Sequence, residues 1–440
     1  VHFTASDIAA ATGGELIGPN TTVTSAAIDS RVLTPGQLFV PIVAERDGHD
    51  FIATAVAAGA TAYLTSNDAE PTPGVAAIRV ADTAVALADL GRAARRRIPG
   101  RVVGVTGSVG KTSTKDLLAG VLASTFHTAA SEKSFNNELG LPMTLFGAPD
   151  DTEAVVLEMG ARGIGHIATL CGIASPTVGV LTRVEGVHLE LFGSLEAVAQ
   201  TKGELIESLP DDGVAVLNAD DPRVLAMRAR TSARVLTYSA STSEADVYAS
   251  DVVLDDQLRA SFTLHTPWGS APVALGARGE HQVPNALAAA AAGGGLGVSV
   301  DGIVAGLADA ALSGLRMELV TLDSGLTVIN DAYNANPTSM AAALRSLATL
   351  EAERRVAVLG TMAELGPDAP AAHREIASLA TGLGITVIAV AEPDYGDGVT
   401  HVPDVAAAAN ELSGLGAADA VLVKGSRVAA LERVVALVSG

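Results

Sequence analysis

The chain has 440 residues, 48% hydrophobic and 18% charged, a balance that excludes disorder and supplies apolar material for several domains. Lys and Arg number 28 against 49 Asp and Glu, a net charge of −21 that excludes a broad basic surface for nucleic acid but leaves room for a compact basic site for an anionic metabolite. The single cysteine, Cys171, cannot form an internal disulfide, the N-terminus lacks the charged and apolar regions of a signal peptide, and no apolar run would span a bilayer, so a cytoplasmic protein with no membrane insertion is expected.

In chain order, residues 4–12 read as a helix capped by Thr4 or Ser6. Val23 to Asp29 and Gln37 to Val43 read as strands, Asp50 to Gly59 as a helix and Ala60 to Thr65 as a strand. Arg92 to Arg97 ends a basic helix, and Ile98-Pro99-Gly100 is a linker. From Arg101 the pattern changes. The strand Val102 to Val105 leads into a Gly-rich turn and a helix from Lys111 to Leu122. Strands Ala154 to Leu157, Val178 to Leu181 and Val214 to Leu217 then alternate with helices, predicting a mostly parallel, doubly wound α/β sheet. Residues 246–275 read as short antiparallel strands, and the Ala-rich run Ala286 to Val298 as a close-packed helix. Beyond Ser313-Gly314, strands Thr327 to Asn330, Val356 to Leu359, Val387 to Val390 and Ala420 to Val423 form a second parallel α/β unit. The expected domains are 1–98, 99–313 and 314–440.

Only five basic residues are lysines: Lys111, Lys115, Lys133, Lys202 and Lys424. Where Arg supplies nearly all generic positive charge, each Lys becomes a candidate for a role that needs its compact ammonium. Thr106-Gly107-Ser108-Val109-Gly110-Lys111-Thr112 follows an apolar strand and opens a helix, the arrangement of a phosphate loop. Lys111 would hold terminal phosphates and Thr112 a Mg²⁺ ion. Glu158 ends the next strand, placed either to bind Mg²⁺ or to face solvent as a strand-end charge. His188 lies after another strand and Lys202 on the helix Leu195 to Leu209; alone, these read as a structural histidine and a solvated lysine. His281 and Asn285 at the entry to the Ala-rich helix would bind a base edge or simply cap the helix. Asp331-Ala332-Tyr333-Asn334-Ala335-Asn336-Pro337 and Lys424-Gly425-Ser426-Arg427 each join a strand to a helix, and the Lys424–Arg427 turn has the character of an anion site.

Together these segments resemble the Mur ligases, the ATP-dependent amide-forming enzymes that build the peptidoglycan stem peptide, and the resemblance covers essentially the whole chain. The stretches Phe135-Asn136-Asn137-Glu138-Leu139-Gly140, Tyr333-Asn334-Ala335-Asn336-Pro337, Met362-Ala363-Glu364-Leu365-Gly366 and Lys424-Gly425-Ser426-Arg427 resemble the branch that adds D-alanyl-D-alanine. The chain departs from the family pattern at Ala44, Arg183, Gln282 and Thr361, none of them a catalytic position.

The resemblance implies three domains: an N-terminal UDP-substrate-binding domain, a central phosphate-loop ATPase and a C-terminal Rossmann-like domain that closes on ATP. It implies ligation of D-Ala-D-Ala to UDP-MurNAc-tripeptide through an acyl phosphate. A related ligase of MurE or secondary-metabolite type and a non-catalytic nucleotide-binding partner are the alternatives. It implies ATP contacts from the loop Thr106, Gly107, Ser108, Val109, Gly110, Lys111 and Thr112, and from His281, Asn285, Arg316 and Asp331. Catalysis falls to Lys111, Glu158, His188 and Lys202. Two Mg²⁺ ions are implied, held by Thr112, Glu158, His188 and a carbamate on Lys202. Ser30, Arg31, His49, Asn136 and Asn137 fall on the UDP-substrate side. Tyr333, Asn334, Asn336, Lys424, Ser426 and Arg427 fall on the peptide or D-Ala-D-Ala side. A monomer is expected.

Overall fold

The computed structural model describes residues 2–68, 70–132, 135–186 and 192–439. At the N-terminus, Thr4 and Asp7 form a reciprocal capping box that starts the helix Ala5–Thr12, and Gly13 ends it in the left-handed conformation. A five-stranded sheet follows in the order Glu15–Ile17, Ala76–Arg79, Ala62–Thr65, Leu38–Phe39, Ala26–Ala27; its first pair is antiparallel and the rest parallel.

Two expected strands are shorter than the sequence suggests. The segment from Val23 to Asp29 divides between sheets: Thr22–Val23 pairs with Phe3–Thr4, and Ala26–Ala27 with Leu38–Phe39. The segment from Gln37 to Val43 keeps only Leu38–Phe39 in the ladder, because Pro41 has no N–H to extend it. The expected helix from Asp50 to Gly59 begins as a 3₁₀ turn, Gly48–Phe51, and continues as Ile52–Ala57.

Nine strands among the described residues form the central sheet, in the order Thr128–Ala130, Ala154–Glu158, Arg101–Thr106, Val178–Leu181, Val214–Asn218, Arg234–Ser239, Val247–Leu254, Arg259–Thr266, Gly269–Arg278. All pairs are parallel until the last two, which make the antiparallel ribbon expected from the sequence. Chain order reverses at Arg101–Thr106: its neighbours Ala154–Glu158 and Val178–Leu181 both come later in sequence, on opposite sides. Crevices at such switch points, beyond the C-terminal strand ends, are where open α/β sheets bind ligands.

One face of this sheet carries the helices Lys111–Ala123, Gln282–Gly295 and Val300–Asp309 around a buried apolar core. The other face carries Gly140–Phe146 and His166–Ala174, and the N-terminal helix Thr83–Arg97 packs onto these, joining both units into one continuous core.

The last sheet runs Glu318–Thr321, Thr327–Asn330, Asp419–Lys424, Arg354–Leu359, Thr386–Val390, Thr400–Val402, parallel except for its first pair. Leu258, at the tip of the central antiparallel hairpin, is buried in the core of this last unit with Met317.

The helix that begins at Lys111 is fixed by close approach of backbones. A Cβ on Gly306 would sit 2.5 Å from Val121 Cα and 2.6 Å from Gly120 O, neither of which can swing aside. Gly306→Ala is therefore expected to destabilise by about 1–3 kcal/mol through overpacking, outweighing the helix-propensity gain of about 1 kcal/mol. Denaturant unfolding checks this; a midpoint at or above wild type contradicts it.

Candidate active site

The strand Arg101–Thr106 is apolar and buried from Val102 through Val105 and delivers the chain to the switch point at Thr106, whose hydroxyl is tied to Met159 O at 2.7 Å. The loop that follows needs two glycines. Gly107 has φ +146° and Gly110 φ +82°, conformations disfavoured for other residues. A Cβ on Gly107 would also overlap the Thr182 hydroxyl, and one on Gly110 would lie 2.5 Å from Asn285 Oδ1. Thr182 buttresses the loop by donating to Val109 O at 2.6 Å, and the Ser108 hydroxyl donates to Glu185 O at 2.9 Å. The loop opens onto the N-terminus of the helix Lys111–Ala123, where backbone N–H groups and the helix dipole favour a phosphate.

Lys111 folds back over this loop, donating to Gly107 O at 2.8 Å and Ser108 O at 3.1 Å. Burial pushes its ammonium down; the Glu158 carboxylate opposes that shift and the Arg316 guanidinium adds to it. Buried Glu158 accepts from the Thr112 hydroxyl at 2.7 Å on one oxygen and from Asn136 Nδ2 at 2.8 Å on the other. The Thr112 and Glu158 oxygens suit Mg²⁺: both are hard donors, and two adjacent ligands of an octahedral ion with bonds of 2.0–2.1 Å lie about 3 Å apart.

Lys202 is buried on the helix Leu195–Glu207, its Nζ 6.0 Å from the centre of the Phe192 ring. Burial, reinforced by the charge of Lys111, pushes its ammonium down to about 7 against the pull of Glu158 and Glu204. It is therefore not the solvated lysine that its helix alone would suggest. His188 and Lys133 lie outside the described residues.

Across the crevice, the start of the helix Gln282–Gly295 brings Asn285 to Thr114 Oγ1 at 3.3 Å and to Gln282 Oε1 at 2.9 Å. Two buried polar atoms in this region, His281 Nδ1 and Arg316 Nε, have no hydrogen-bond partner among the described residues. Orphaned buried groups are costly, and a cluster beside a phosphate loop fits a ligand that satisfies them. Burial holds the His281 imidazole below its usual range, with opposing contributions from Asp331 and Lys424.

The last sheet presents its own C-terminal strand ends. Asp331 follows Thr327–Asn330, and Lys424 ends the neighbouring strand; they pair at 2.6 Å, with Lys424 almost wholly buried. Lys424 also donates to Asn334 O at 2.9 Å. Asn336 caps the helix Pro337–Thr349 in a reciprocal box with Ser339. Ser426 accepts from Ala363 N at 3.0 Å and donates to Ala335 O at 3.3 Å, while Arg427 pairs with Glu432 at 2.9 Å. Asn334 is exposed. Lys424, Asn336 and Ser426 thus build the turn that carries Asp331 and Tyr333.

On the N-terminal sheet, Arg31 is bound bidentately to Asp29, whose carboxyl it holds down at about 2. Ser30 is buried beside them. His49 accepts from Ser66 N at 3.0 Å on Nε2 and so carries its proton on Nδ1, which donates to Asp47 at 2.6 Å. Asn137 holds Gly140 N at 2.9 Å at the start of the helix Gly140–Phe146. The ring nitrogens of His49 and the Asn137 side-chain oxygen are thus engaged within the fold.

Three further residues matter that sequence reasoning did not place. Ser131 accepts from Glu158 N on its hydroxyl at 3.2 Å, and its carbonyl accepts from Lys115 at 2.7 Å. Lys115 pairs with Asp116 at 2.6 Å, and Asp116 accepts from Ser313 N at 2.8 Å in the linker before Arg316. Lysine scarcity flagged Lys115 but said nothing of its partners, which are distant in sequence. Another group with ligand-like spacing among the described residues, His373, Glu392 and Asp394, is structural: His373 Nε2 accepts from Met362 N at 2.9 Å and Nδ1 donates to Ala369 O at 2.7 Å.

A switch-point phosphate loop on a parallel sheet, faced by a second α/β unit whose strand ends carry the Asp331–Lys424 pair, is the arrangement of an ATP-using enzyme. Residues 105–293 match the Mur ligase middle domain and residues 315–427 the Mur ligase, glutamate ligase domain. The chain belongs to the Mur ligase family, and with it to the ATP-dependent, ADP-forming ligases. It is 46% identical to the UDP-N-acetylmuramoyl-tripeptide–D-alanyl-D-alanine ligase of Mycobacterium tuberculosis, over 82% of this chain and 76% of that protein. Its fold is similar to that of MurF from Acinetobacter baumannii, with a TM-score of 0.89 at 30% identity over 100% of this chain and 99% of that one. It is also similar to Thermotoga maritima MurF in complex with ADP, with a TM-score of 0.83 at 29% identity over 95% and 97%.

Gly107→Ala is expected to lower kcat/KM for ATP by about 100-fold, the scale of a loop displaced by roughly an ångström. Steady-state phosphate release checks it, and an unchanged kcat/KM contradicts the assignment of the loop.

Proposed function

We propose that this enzyme joins D-alanyl-D-alanine to UDP-N-acetylmuramoyl-tripeptide with cleavage of ATP to ADP and phosphate. The observation that carries the reading is the pairing of the Lys111–Thr112–Glu158 phosphate loop with Arg316 in a chain similar to D-alanyl-D-alanine ligases over most of its length. In this reading residues 1–98 hold the UDP end of the substrate, 99–313 the ATP and 314–440 the incoming dipeptide. An ATP-consuming step of this kind belongs in the cytoplasm, and the reading needs only a monomer.

A carboxylate is a poor electrophile, so its oxygen first attacks the γ-phosphorus of ATP. ADP leaves, and an acyl phosphate forms. The amine of D-Ala-D-Ala then attacks the acyl carbon, phosphate departs, and the amine loses a proton. The protein's work is positioning and charge neutralisation. The loop N–H groups and Lys111 hold the phosphates, and Arg316 offsets charge on the transferred group. Asn285, with His281 beside it, faces the nucleotide, and Asp331 closes on it from the last sheet. Asn136 orients Glu158. Asn334 and Arg427 lie on the side assigned to the acceptor. Thr112 and Glu158 would hold a Mg²⁺ ion, which supplies charge neutralisation at the phosphates.

Lys202 is proposed to carry a carbamate. A bare ammonium beside Lys111 would repel both Lys111 and a metal, whereas a carbamate offers anionic oxygen to the second ion, together with His188. Burial and the charge of Lys111 both favour the neutral amine, the form that adds carbon dioxide.

Phosphate release is expected only with both a UDP-muramoyl-tripeptide and D-Ala-D-Ala present. Equal turnover with single D-Ala, or with a dipeptide nucleotide, rejects the substrate assignment. Lys202→Arg is expected to lose several orders of magnitude in turnover, as loss of a metal ligand does, because Arg keeps a charge but forms no carbamate. An active Lys202→Arg enzyme, or one indifferent to bicarbonate depletion, rejects the carbamate.

A further inference from the structure

Arg316 sits between two residues held in the left-handed region, Leu315 at φ +60° and Met317 at φ +51°. For L-residues this is strained backbone, and it persists only where surrounding contacts over-determine it. Met317 is anchored in the apolar core of the last unit, and the backbone contacts on either side of Arg316 come from the Asp331–Tyr333 turn. Met317 N donates to Asp331 Oδ1 at 3.2 Å, and Tyr333 N donates to Leu315 O at 3.3 Å. The Tyr333 ring lies against the guanidinium itself, with Cζ 4.5 Å from the ring centre. Arg316 Nε is buried with no hydrogen-bond partner among the described residues, and the aromatic face is the contact that lies against the guanidinium carbon. The charge that this arrangement presents reaches Lys111 on the phosphate loop.

We propose that Tyr333 is a positioning residue for the reaction: its ring holds the Arg316 guanidinium, on a strained three-residue arch, in the orientation that meets the transferred phosphoryl group. This rests on the assignment of Arg316 to the phosphates above. It moves Tyr333 from the peptide side, where sequence similarity put it, to the nucleotide side. The ring serves through its π-face, which a phenylalanine also offers. A stacked planar cation also explains Arg at this position rather than Lys, since the guanidinium can lie flat on the ring and still direct its edge N–H groups at phosphate oxygens.

The test is a double-mutant cycle on the full chain, reading phosphate release with both substrates, the KM of each substrate and the denaturant midpoint. Tyr333→Leu is expected to lower kcat about tenfold, between the exposed and the fully desolvated values of a cation–ring contact, with little change in the KM for the UDP-peptide. Tyr333→Phe should retain most of the turnover. Arg316→Ala should be the more damaging single change, and adding Tyr333→Leu to it should cost nothing further, because Tyr333 acts through Arg316. A full Tyr333→Leu penalty in the Arg316→Ala background overturns the proposal, as does a Phe variant as poor as the Leu variant. An Arg316→Ala enzyme with wild-type turnover overturns instead the assignment of Arg316 to the phosphates, and this proposal with it. Should the Leu variant unfold, Tyr333→Met, ringless but similarly long, carries the same expectations.

Discussion

Cations crowd around the phosphate loop of a molecule whose net charge is −21. Lys111 and Lys202 are each pushed toward the neutral form by burial, Arg316 adds to the shift at Lys111, and Lys111 adds to that at Lys202. Glu158 is the carboxylate that opposes both shifts. Like charges gathered in a site of low dielectric are unfavourable until an anion arrives, and a nucleoside triphosphate brings the charge that relieves them. The surrounding architecture serves to hold this unfavourable arrangement in place: two glycines that let the loop turn, Thr182 beneath it, and a strained arch that carries Arg316.

The crowd is assembled from two sheets. The central sheet supplies the loop and Glu158 at its switch point. The last sheet supplies Asp331, locked by Lys424, and through the same turn supports Arg316. The two units touch at Leu258, which is buried in the last unit's core, and at Ser313, whose N–H is held by the Lys115–Asp116 pair. That pair connects through Ser131 to the backbone N–H of Glu158, so one chain of polar contacts runs from the main chain that carries this carboxylate to the linker before Arg316. Each member is satisfied, as buried polar groups must be if they are to add rigidity rather than cost.

Several residues that a motif would assign to substrate turn out to hold the fold. Asn336 is a helix cap, Lys424 neutralises Asp331, and both ring nitrogens of His49 are engaged by Asp47 and Ser66. Each builds the surface on which neighbouring residues act. A motif therefore marks the whole turn, and contacts within it divide the labour among its members.

The sequence by itself determined the alternation of strands and helices, the phosphate loop, and the change to antiparallel pairing after residue 246. These signals are local: an apolar strand followed by glycines, Lys and Thr imposes its own geometry. It could not set the length of the N-terminal strands, because Thr22–Val23 and Ala26–Ala27 are divided between two sheets by partners elsewhere in the chain. Glu158 and Lys202 stayed ambiguous in sequence because a carboxylate or an ammonium is functional or idle according to what surrounds it. Only the tertiary structure decided that both are buried beside Lys111, and that Tyr333 lies against Arg316. Burial and charge proximity arise between residues far apart in the chain, and no spacing within a motif encodes them.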